Sequence, residues 1–82
     1  MSESQKRIIN FHIARLQDKS RDVRLKAIAE LALLPDPEVL EALQGVFKTD
    51  GDLEVRKAAQ EAGRNVFIKL KEQNAPGGSA GI

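Results

Sequence analysis

The chain has 82 residues, of which 41% are hydrophobic and 30% charged, with a net charge of +1. This composition allows one small domain, too apolar to be wholly disordered and without an overall basic field to draw nucleic acid. Cysteine is absent, which excludes a disulfide framework, a thiolate zinc site and a cysteine nucleophile.

A first helix is expected over about Ser4–Gln17. Ile8, Ile9, Ile13 and Leu16 share one face at helical spacing, His12 falls within that stripe, and Phe11 points away from it. Charges stand on both sides of the apolar residues in this stretch, unlike a signal peptide, and no run in the chain approaches the roughly 18–20 apolar residues that span a bilayer. The expected location is the cytoplasm. After a polar connection at Asp18-Lys19-Ser20, a second helix over about Arg21–Leu34 is apolar almost all round, as a central helix buried on two sides would be. Pro35 cannot continue it, and Pro37 suits the first position of a third helix, about Pro37–Thr49. In that helix Val39, Leu40, Ala42, Leu43, Val46 and Phe47 make one stripe, opposite Glu38, Glu41, Gln44 and Lys48. Asp50-Gly51-Asp52 breaks the chain, and a fourth helix is expected from Leu53 to about Glu72. Ala58, Ala59, Ala62 and Gly63 on its inner face allow a neighbouring helix to come close, the glycine costing about 1 kcal/mol of helix propensity against alanine. Residues 74–82, NAPGGSAGI, are expected to form a flexible tail, leaving residues 1–73 as the domain.

Three of these helices start on a sixteen-residue beat. Ser20, Asp36 and Asp52 are each followed two positions on by an acid (Asp22, Glu38, Glu54) and then by valine. The first side chain can accept a bond from an orphan backbone N–H, and the acid sits at the positive end of the helix dipole. The double beat is sharper, with Asp22 and Glu54 separated by 32 residues. Asp18, Ser20, Asp22, Val23, Arg24 and Ala27 return as Asp50, Asp52, Glu54, Val55, Arg56 and Ala59. Together with LLPDPEVLEAL, this pattern resembles the HEAT repeat family, in particular the short HEAT-like repeats of the phycobilisome lyase type. The resemblance covers about residues 8–72. It implies an all-α fold of four antiparallel helices, a right-handed α-α superhelix fragment of about two HEAT-like repeats. Stacks of this kind usually need about three repeats, so the terminal helices must act as caps or be covered by another molecule.

Arg24 lies among apolar neighbours, where an unpaired charge is expensive, so it calls for a carboxylate or carbonyl partner. Asp18, Arg24, Asp50 and Arg56 are therefore structural repeat positions, expected to form a ladder between repeats. His12, the single histidine, is expected to be a satisfied core residue, since a zinc site would need several donors. Neither a nucleophile setting nor a glycine-rich loop opening a helix is present, so no enzymatic activity, metal or cofactor is expected. Arg56, Lys57, Arg64, Lys69 and Lys71 give the fourth helix a basic character, but Glu54, Glu61 and Glu72 are interleaved and no aromatic residue is placed there to stack on a base.

The candidate partner-binding residues are Phe11, Phe67, Ile68, Arg56 and Arg64, apolar groups and cations on the two terminal helices. The reading is a non-catalytic protein-interaction or scaffold module, binding a protein partner or a second copy through its terminal helices, without a membrane. Two further readings are an accessory subunit of a bilin chromophore lyase, which the family resemblance implies, and nucleic-acid binding through the basic helix faces.

Overall fold

Three side chains start three of the helices. The backbone N–H of Val23 donates to Ser20 Oγ at 3.3 Å, that of Glu38 to Asp36 Oδ1 at 2.8 Å, and that of Val55 to Asp52 Oδ1 at 3.0 Å. Each satisfies a donor that a helix start leaves without an internal partner. The computed structural model describes residues 3–74, and in it the chain forms α1 (Glu3–Arg15), α2 (Arg21–Leu31), α3 (Pro37–Thr49) and α4 (Leu53–Asn74). No strand occurs among the described residues.

The helix ends differ from the sequence expectation where the last turn tightens. Leu16 and Gln17, expected inside α1, instead donate to Ile13 O and Ala14 O, three residues back. Leu33 and Leu34 do the same to Glu30 O and Leu31 O, so α2 stops at Leu31. Pro35 explains the second case: its ring disfavours helical backbone at Leu34, and the chain unwinds before reaching it. Leu33, past the end of α2, is thereby turned out to solvent, 63% exposed. At the other end α4 continues through Asn74, which the sequence assigned to the tail; the rest of that expected tail lies outside the described residues.

The core is a single cluster between the helices. α3 and α4, joined by only three residues, pack most extensively; α2 lies between α1 and α4; and α1 meets α3 at a few points. Leu31, Val39, Leu43, Val55 and Val66 are fully buried. Removing such side chains from water stabilises by about 1.5–3 kcal/mol each. Gly63 is buried where α4 crosses α3, yet a Cβ built there would meet Leu40 Cδ1 at 3.8 Å and Leu43 Cβ at 3.9 Å. Both are ordinary van der Waals distances, so the close approach does not require glycine.

Candidate functional site

The two connections between paired helices fold the same way. Asp18 Oδ1 accepts from Ser20 N at 2.8 Å, and Asp50 Oδ1 accepts from Asp52 N at 2.9 Å. Each aspartate uses one oxygen to make its turn, which leaves the other oxygen for a neighbour. Asp50 spends that oxygen on the preceding repeat: Oδ2 stands 3.0 Å from Arg24 Nε, an ion pair by distance without the alignment of a hydrogen bond. Arg24 Nη1 meanwhile donates to the carbonyls of Asp18 at 2.9 Å and Lys19 at 3.1 Å. Arg24 thus ties its own turn to the next one, and Asp18 contributes a carbonyl where a carboxylate was also a candidate. A second contact runs alongside, with Arg21 Nε donating to Asp52 Oδ2 at 2.9 Å. The Asp52 carboxyl is held below the usual carboxylate range, chiefly by the Val55 N–H and further by Arg21, against an opposing effect of desolvation.

Arg56 occupies the position of Arg24 in the second repeat and fares differently. Its Nε is buried and has no hydrogen-bond partner. Arg56, Gln60, Gly63 and Phe67 recur at three- and four-residue spacing, so they follow one flank of α4, the flank turned away from α2. There a groove of about 290 Å³ opens between Leu40, Gln44 and Phe47 of α3 and Gln60, Gly63, Arg64 and Phe67 of α4. Phe47 and Phe67 are 41% and 51% exposed at its edges, although the sequence pattern assigned Phe47 to the core stripe. Lys71 Nζ lies 5.7 Å from the Phe67 ring centroid, a cation–π distance. The site therefore combines apolar rims with a cationic edge and amide side chains.

The remaining candidates are dispersed. Phe11 is exposed on α1, its ring edge-on to His12 with centroids 5.2 Å apart and beneath Arg15 Cζ at 5.2 Å. It lines a separate cleft with Arg15, Lys26 and Glu30. Ile68 follows Phe67 but sits about 100° further round the helix and does not line the groove. The run Val66-Phe67-Ile68 is thus split three ways, into core, groove and open surface. His12 is half-buried, and its Nδ1 has no hydrogen-bond partner, so it is not the satisfied core residue the sequence suggested. Leu40, Gln44, Phe47 and Gln60 were missed as site residues. The available signal was the α4 flank of Arg56, Gln60 and Phe67, which a search for exposed apolar residues overlooks.

Other sites offer less. A cleft of about 380 Å³ between α1, the α2–α3 connection and the end of α4 is lined by Ile8, Leu34 and Pro35, and its one charged residue, Asp36, already caps α3. Among the described residues no group of three or more His, Asp or Glu is placed to hold a metal ion, and no helix is long and apolar enough to cross a membrane.

Searches of curated proteins and of solved structures give no match. Comparison with protein families matches residues 4–63 to the family described as HEAT repeats. That span holds both aspartate turns, the Arg24–Asp50 contact and the repeated Val-Arg, and the chain belongs to the HEAT repeat family.

Proposed function

We propose that the chain is a non-catalytic protein-binding module of the cytoplasm and that the α3–α4 flank is its contact surface. The observation that carries this reading is the groove between Phe47 and Phe67, with Arg64 at its edge and Arg56 on the same flank of α4. Phenylalanine and arginine are both enriched in protein interfaces relative to the rest of the surface. Membership of a repeat family whose members generally bind protein partners supports the same reading. Phe11 and Ile68, exposed away from the groove, are secondary contacts in this scheme.

The test is affinity capture from cell extract with the wild type and with a F67S/R64Q double variant of matched helicity. A protein retained by the wild type and lost with the variant supports the groove as the contact surface; an identical set of captured proteins sinks it. Salt separates a nucleic-acid partner, because neutralising several phosphates makes affinity fall steeply with ionic strength.

A further inference from the structure

The contact between the two repeats is a template for a contact between two chains. Within one copy, the cation Arg24 reaches the free oxygen of Asp50, the turn aspartate of the following repeat, at 3.0 Å. The 32-residue repeat makes Arg56 the equivalent of Arg24 and Asp18 the equivalent of Asp50. Arg56 lacks an acceptor for its buried Nε, and Asp18 has only one oxygen engaged, by Ser20 N. Each copy therefore carries one unmet half of the same ion pair at either end. We infer that Arg56 pairs with Asp18 of a second copy of this chain, so that copies stack head to tail in the register that sets α4 against α2.

The inference rests on the reading of the open flank of α4 as a protein-binding surface, and it names the occupant. Within one copy the α2–α4 cleft is lined by Leu25, Ile28 and Ala32 on the α2 side and by Ala58 and Ala62 of α4. Carried one repeat further, Gln60 and Arg64 stand in the places of Ile28 and Ala32, and Glu30 of the second copy takes the place of Ala62. Arg64 thus faces Glu30 as Arg56 faces Asp18, while the same register sets Lys57 beside Lys26 of the second copy, a like-charge contact that opposes the two ion pairs. Because Lys57, Gln60 and Arg64 replace the apolar Leu25, Ile28 and Ala32, this interface is held more by charge than by apolar burial. It is accordingly weaker than the intramolecular one and falls with salt. A head-to-tail contact does not close at two copies unless the rotation makes a ring, so mass should keep rising with concentration.

Sedimentation of the full chain over a micromolar to millimolar series tests this. The expected result is a mass that climbs above the 9.0 kDa of one copy and falls back in high salt. R56E and D18K should each weaken association by about tenfold or more, and an equimolar mixture of the two should restore it, since each supplies the intact half the other lacks. D18K also loses the acceptor of the Ser20 turn; D18N keeps that acceptor without the charge and should weaken association in the same direction if D18K misfolds. A mass fixed at one copy throughout, association indifferent to R56E, or no restoration on mixing two folded variants overturns the inference. A fixed single-copy mass with another protein still captured through Phe67 and Arg64 overturns the second copy as occupant and leaves the protein-binding reading standing. Failure of both experiments removes both.

Discussion

Arg24 and Asp50, from different repeats, meet at 3.0 Å with side chains only 18% and 11% exposed, whereas Arg56, the repeat equivalent of Arg24, has no acceptor for its buried Nε. Two arginines of equivalent sequence context should therefore carry unequal weight. R24M removes the ion pair and both carbonyl bonds and leaves Asp50 charged and nearly buried, at a cost of about 2–4 kcal/mol. R56M removes no bond within the chain and should change stability by less than about 0.5 kcal/mol. Urea unfolding of dilute samples measures both, and equal losses would mean that Arg56 has an internal partner after all.

The cap residues should rank by burial. Asp36 is 7% exposed, while Ser20 lies open to solvent. S20A should cost about 1 kcal/mol, the ordinary value for a lost cap. D36A should cost about 2 kcal/mol, because in the partly buried connection before α3 water is less able to replace the lost acceptor. Thermal unfolding of the pair checks the order, and a larger loss for S20A would contradict it.

What the sequence made legible follows from which signals are local. Caps, prolines and the Asp50-Gly51-Asp52 breaker act through neighbouring backbone, and they placed α3 at its observed bounds and every helix start to within a residue. The end of α2 was harder to read, because its continuous apolar run gave no sign that Leu33 would be turned outward ahead of Pro35. The ladder was readable as an equivalence of Asp18 with Asp50 and of Arg24 with Arg56. Which arginine reaches which aspartate depends on how α4 sits beside α2, a tertiary fact that periodicity does not carry. The groove is tertiary too: Phe47 belongs to the core stripe by spacing and to the rim only because no further helix covers that side of α3 among the described residues.

Acid should find a weak point at the start of α4. The folded-state value of the Asp52 carboxyl lies below its unfolded value, first because the Val55 N–H bonds the charged form and then because Arg21 does. The stabilisation is complete above the unfolded value, about pH 4, and fades as pH falls through the lower folded value. D52N keeps an acceptor for Val55 but carries no charge, so its melting temperature should decline less than that of the wild type between about pH 5 and pH 3. Parallel declines for the two proteins would show that the acid sensitivity arises elsewhere.

Both glycines within helices should be replaceable with profit. A Cβ at Gly45 meets nothing within 4 Å, and one at Gly63 meets only Leu40 and Leu43 at ordinary contact distance. Alanine at either position recovers about 1 kcal/mol of helix propensity, which for a domain of this size raises the melting temperature by about 4–8 °C. The two substitutions divide the argument cleanly, since Gly45 is exposed on α3 while Gly63 is buried against it. A gain for G45A with a loss for G63A would mean that Leu40 and Leu43 stand closer to α4 than 3.8 Å allows, and that the small residue is needed for the helix pair to close. Gains for both would place the cost of Gly63 in propensity alone and leave the floor of the groove free to carry a methyl group.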